Sequence, residues 1–140
     1  MTVVIDASSA IEIALNNTFA PIFQEILNDA DLVLAPDTFP AEVANAFWKY
    51  GNLSNLAIDT CQRGIDYCLD LVDDYIRTQH LCREVFSESI RSKLSAYDVF
   101  YLVVARRHDA VILTRDKKLI ETATALNVVV ARPFRSHRSP

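Results

Sequence analysis

The chain has 140 residues, 51% of them hydrophobic and only two of them glycine. That length fits one domain with a single core, and the composition excludes a flexible linker, a low-complexity segment and an apolar run of the about 18–20 residues that span a bilayer. A formal net charge of −4 argues against a general nucleic-acid binder, yet residues 1–76 carry two basic side chains against twelve acidic ones, and residues 77–140 twelve basic against six acidic.

The opening segment Met1-Thr2-Val3-Val4-Ile5-Asp6 lacks a basic region and meets a charge after three apolar residues. It does not read as a signal peptide, and a cytoplasmic location is expected. Val3-Val4-Ile5 is a β-branched run that reads as a buried strand. Helical periodicity follows over residues 8–15 and again over 19–27. Leu32-Val33-Leu34 reads as a second strand, stopped by Pro36. Pro40 suits the first turn of a helix running to about Tyr50, where Gly51-Asn52 should break it. A longer helix is predicted over 55–72, with Gly64 tolerated inside at about 1 kcal/mol. A short strand at 75–77, a helix over 81–90 and a strong helix over 95–107 come next. Val111-Ile112-Leu113 is a clear strand, 116–126 a last helix and Val128-Val129-Val130 a last strand. Residues 1–131 then form one domain, and 132–140 a basic, Pro- and Ser-containing tail. Short apolar strands alternating with helices predict an α/β/α sandwich with a mostly parallel central sheet.

Cys61, Cys68 and Cys82 are odd in number and lack paired ligand spacing; Cys61 and Cys68, seven apart in a helical pattern, read as buried small hydrophobes, and nothing suggests zinc. His80, His108 and His137 are scattered and read as surface residues.

Acids occupy a different kind of position. In a parallel α/β fold the carboxyl ends of strands and the amino ends of helices share one edge, where ligands bind. Asp6 ends the first strand, and Glu42 lies in the first turn after Pro40. Asp98 follows Ser95 at the start of its helix, and Asp116 opens the last helix. Each is also a good helix-start residue, favoured by about 0.3–1 kcal/mol, and Ser95-Ala96-Tyr97-Asp98 matches a capping box. Two carboxylates about 5 Å apart, however, repel by about 3 kcal/mol at an effective dielectric of about 20. Four together exceed what helix ends return, so either some are protonated or a cation neutralises them. Oxygen ligands without clustered Cys or His favour Mg2+ or Mn2+, one or two ions. Such a cation would lower the pKa of a bound water and stabilise developing negative charge.

Four segments carry a resemblance: Val4-Ile5-Asp6-Ala7-Ser8-Ser9-Ala10, Pro40-Ala41-Glu42-Val43-Ala44-Asn45, Ser95-Ala96-Tyr97-Asp98-Val99-Phe100-Tyr101-Leu102 and Leu113-Thr114-Arg115-Asp116-Lys117-Lys118-Leu119. In order and spacing the chain resembles a PIN domain, and more narrowly the VapC toxins of bacterial and archaeal toxin–antitoxin pairs. The resemblance implies a metal-dependent endoribonuclease acting on structured RNA, a homodimer and a cognate antitoxin protein. Carried over by position, Asp6, Glu42, Asp98 and Asp116 would be the acidic cluster. Thr114 would hydrogen-bond within the site, and Ser8 is a weaker candidate for the same task.

Lys49, Arg115, Lys117 and Lys118 flank these acids in sequence or on a helix face and are candidates for RNA phosphates. Around one helix, Val43, Phe47 and Tyr50 share an apolar face expected to be core, whereas Trp48 falls outside it and is a candidate for an antitoxin groove. A catalytically inactive PIN-like RNA- or protein-binding module is the alternative, against which the intact acid set argues. Phosphotransfer modules fit less well. Receiver domains place paired acids after the first strand, where only Asp6 stands, and haloacid-dehalogenase-type phosphatases need an aspartate where this chain has Ser8.

Overall fold

A computed structural model describes residues 1–132; beyond Arg132, the expected basic tail lies outside the described residues. Four short strands, β1 (Thr2–Ile5), β2 (Leu32–Pro36), β3 (Asp74–Ile76) and β4 (Val111–Leu113), form one parallel sheet in the order β3-β2-β1-β4. Val3, Val4, Ile5, Ala35, Ile112 and Leu113 are wholly buried, and Leu34 nearly so. Their side chains therefore need cover on both faces, as a parallel sheet demands.

The described helices supply it: α1 (Ala7–Ala14), α2 (Ala20–Asp29), α3 (Phe39–Leu53), α4 (Ile58–Asp70), α5 (Cys82–Ser92), α6 (Ala96–Arg107) and α7 (Lys117–Ala125). From β1 the chain steps to β2 and β3 in one direction, through α1 to α4. It then returns through α5 and α6 to β4, on the other side of β1. Parallel crossovers are right-handed in about 98% of cases, so steps in opposite directions put their helices on opposite faces. The packing agrees: α1 meets α2, α3 and α4, whereas α6 lies across β1, β2 and β4 and touches α5 and α7. The fold is the expected α/β/α sandwich. Its strand order reverses between β1 and β4, and at such a switch point the helices diverge and leave a crevice.

Local departures from the sequence pattern have local causes. Gly51-Asn52 does not break α3, which runs on to Leu53 and ends where Asn55 turns left-handed (φ 56). A Cβ at residue 51 would lie 3.4 Å from Cys61 Sγ, an ordinary contact, so this glycine makes no turn and is accommodated inside the helix. Gly64 is tighter. A Cβ there would fall 2.5 Å from the ring of Phe47, so its absence lets α4 seat on α3. The segment at 128–130 is not a full strand. β4 is three residues long, and only Ile112 finds a partner, in an isolated parallel bridge to Val130. On the other face, Arg106 spans Glu84 (2.7 Å) and Glu88 (3.0 Å), tying α6 to α5. No helix among the described residues is long and apolar enough to cross a membrane.

Candidate functional site

Strand register builds the first half of the site. Ile5 pairs with Leu113, so the next residues, Asp6 and Thr114, emerge side by side at the switch point. Asp6 then caps α1, accepting from Ser9 N at 2.9 Å. The Thr114 hydroxyl donates to Asp6 Oδ2 in a short bond, and the Ser8 hydroxyl donates to the same carboxylate (2.8 Å to Oδ1). Ser9 Oγ lies 2.9 Å from Asp6 Oδ1 and 2.8 Å from the Leu113 carbonyl, bridging β1 to β4. Asp6 is only 5% exposed. Burial pushes its carboxyl above the usual aspartate range, while the Thr114, Ser9 and Ser8 donors pull it back toward the ionised form.

The second half comes from three helix starts. Glu42 stands in the first turn of α3, Asp98 in that of α6, and Asp116 caps α7 through Oδ1, accepting from Lys118 N (2.9 Å) and Leu119 N (3.2 Å). The capping box at α6 is incomplete: Ser95 Oγ accepts from Asp98 N at 3.4 Å, but the Asp98 carboxylate meets the Ser95 hydroxyl at 3.3 Å. These acids feel one another. Burial, then the charges of Asp98 and Asp6, raise Glu42 to about 7, despite the Thr38 and Tyr101 hydroxyls that hold it down. Burial and the charge of Asp116 raise Asp98. The sheet topology thus strings Asp6, Glu42, Asp98 and Asp116 into one electrostatically linked set.

Glu42 Oε2, Thr38 Oγ1 and Tyr101 OH are all buried without completing a hydrogen bond. An unpartnered buried carboxylate oxygen beside other carboxylates costs free energy that a cation would recover. Among the described residues no three His, Cys, Asp or Glu side chains close into a finished cage. The donors present still fit a hard divalent cation, being carboxylate and hydroxyl oxygens with no thiol or imidazole among them.

The flanking cations divide. Arg115 joins the site: its backbone N–H donates to Ser8 Oγ at 3.1 Å and its guanidinium pairs with Glu12 at 3.1 Å. Lys49, Lys117 and Lys118 are exposed, and none makes an ion pair with a described residue. Trp48 is 58% exposed and lines an apolar groove between α3 and α4 with Ile58 and Ile65, whereas Val43 and Phe47 are core and Tyr50 is half-buried. His80 and His108 are exposed; His137 lies outside the described residues. Sequence reasoning missed Ser9, Thr38 and Tyr101. Tyr101 lies three residues after Asp98 on α6, a helical spacing that could have flagged it.

No curated protein matches the chain by sequence. The crystal structure of PAE2754 from Pyrobaculum aerophilum is similar in fold, with a TM-score of 0.71 at 20% identity over 87% of this chain and 79% of that one. A family model described as PIN domain matches residues 3–125. With strands, switch point and acids all inside that span, the chain belongs to the PIN domain family, whose fold is generally that of a nuclease.

Proposed function

We propose that this protein is a metal-dependent endoribonuclease, the toxin of a toxin–antitoxin pair, which hydrolyses RNA phosphodiester bonds in the cytoplasm. The observation that carries this reading is Glu42 Oε2, a buried carboxylate oxygen without a partner among linked acids. Asp6, Glu42, Asp98 and Asp116 would hold one or two Mg2+ or Mn2+ ions. Such ions supply a more acidic water and offset charge on the phosphoryl oxygens.

The chain's own residues do the rest. Thr114, Ser8 and Ser9 fix Asp6 in direction and oppose the desolvation that raises its pKa. Ser95 orients Asp98. Glu42, its Oε2 buried without a partner beside the other acids, would complete the oxygen ligand set. The exposed Lys117 and Lys118 on the first turn of α7 would meet RNA phosphates. An antitoxin segment in the Trp48 groove and a homodimer complete the reading, drawn from the sequence resemblance.

The test is cleavage of RNA by antitoxin-free protein with added Mg2+ or Mn2+, with EDTA and with Asp6→Asn. Cleavage that survives both EDTA and Asp6→Asn would sink the mechanism. RNA binding without cleavage would turn the reading to the inactive binding module. A short DNA-binding partner encoded next to this chain, and its co-purification lost in Trp48→Ala, would support the toxin role.

A further inference from the structure

Glu12 is the most deeply buried acid among the described residues, 2% exposed, and it is not one of the four linked carboxylates. Its Oε2 accepts from Phe19 N at 2.8 Å, and its Oε1 accepts from Arg115 Nη1 at 3.1 Å. The Phe19 ring lies 4.9 Å from Arg115 Cζ, under the guanidinium. Arg115 is therefore fixed by a buried carboxylate on one donor and an aromatic face, while half of its side chain remains exposed. The remaining donors of a fixed guanidinium form a rigid fork, suited to a phosphate.

That fork lines a cavity of about 470 Å3, which also reaches Ser8 and Asp116 of the carboxylate site. Tyr50, Ile11 and Ala46 give the same cavity an aromatic and apolar lining, and Asn17 adds an amide. Its size falls in the range of small-ligand sites, about 300–1,000 Å3. An aromatic ring serves a nucleobase face whatever the base, and continuity with Asp116 places the cavity next to the proposed cleavage point.

We infer that this cavity is the subsite for one ribonucleotide adjoining the cleaved bond, with its phosphate on Arg115, its base against Tyr50, and Glu12 as the residue that positions Arg115. The inference rests on the nuclease reading of the neighbouring acids. Because Glu12 neutralises Arg115, the contact works through directed donors and adds little long-range attraction.

The experiment measures binding of a short fluorescein-labelled single-stranded RNA to protein carrying Asp98→Asn to stop cleavage, with thermal melting of each variant. Arg115→Gln should weaken binding about tenfold, as should Tyr50→Leu. Arg115→Gln should change the salt slope by much less than the about 0.7 of a full phosphate contact, because Glu12 already neutralises the charge, and should lower the melting temperature by leaving Glu12 without its ion pair. Adding Glu12→Gln to Arg115→Gln should restore the melting temperature and leave binding weak. In protein with Asp98 intact, Glu12→Gln alone should raise KM with kcat nearly unchanged. If wild type cleaves RNA but the double variant binds as tightly as the Asp98→Asn parent, the subsite is wrong and the nuclease reading stands. If wild type neither binds nor cleaves RNA, the nuclease reading fails and takes the subsite with it.

Discussion

Two carboxylates at the same sheet edge are held in opposite ways. Asp6 is buried among donors, with Thr114, Ser8 and Ser9 all directed at it. Glu42 is half-buried, with its Oε2 enclosed beside hydroxyls that do not complete a bond to it. The first arrangement belongs to the scaffold, since it joins β1 to β4 whether or not anything binds. The second is incomplete by itself. A site of this kind stores its need for a ligand in one place and its rigidity in another.

The comparison breaks most sharply under substitution of Asp6. Asp6→Asn should lower RNA cleavage by at least about 10²-fold, and Asp6→Ala should also destabilise the fold by leaving Thr114 and Ser9 without their acceptor; denaturant melts beside cleavage assays would check both. Thr114→Val should cost about 10–100-fold in cleavage or metal affinity, because the residue that orients Asp6 is lost while every acid remains. Glu42→Gln should abolish cleavage too, but with the opposite effect on the metal-free fold. At pH 8 it should stabilise by about 1 kcal/mol, once solvent screening of a half-buried group is allowed for.

A pH series sharpens the same contrast. Glu42 has a folded pKa of about 7 against an ordinary 4.5, so the folded state holds its proton more tightly. Between those values the folded protein binds more protons than the unfolded chain, and metal-free stability should fall as pH rises through the window. Urea midpoints should decline from pH 5 to pH 7 in wild type and decline less in Glu42→Gln. Saturating Mn2+ should flatten the trend by favouring the ionised form. The smallest effect is expected at Lys118: Lys118→Ala should leave stability unchanged and reduce the salt slope of RNA binding by about 0.7.

The acids were legible because each sits where a strand stops or a helix starts, and those boundaries are written locally. Val3-Val4-Ile5 before Asp6 and Val111-Ile112-Leu113 before Thr114 and Asp116 identify the edge without any knowledge of packing. Their partners were not legible. Ser9 matters because its hydroxyl reaches the carbonyl of Leu113, 104 residues away, which only the β1–β4 register brings near. Thr38 and Tyr101 depend likewise on how α3 and α6 are set against the sheet. Gly51 misled for a related reason. A glycine near the expected end of a helix looks the same in sequence whether it makes a turn or lies inside the helix, and here it lies inside α3. The run Val128-Val129-Val130 has strand composition, but the short β4 offers it only Ile112.

The strand order has a consequence for synthesis. Among the described strands β1 comes first in the chain and one of its two neighbours, β4, comes last, so Asp6 waits for Thr114 until more than a hundred further residues have emerged. Pairing of such distant segments is slow relative to local structure and cannot begin on the nascent chain before both are available. On the proposed nuclease reading, a chain interrupted before residue 114 would lack both Thr114 and Asp116 and could not assemble the site around Asp6.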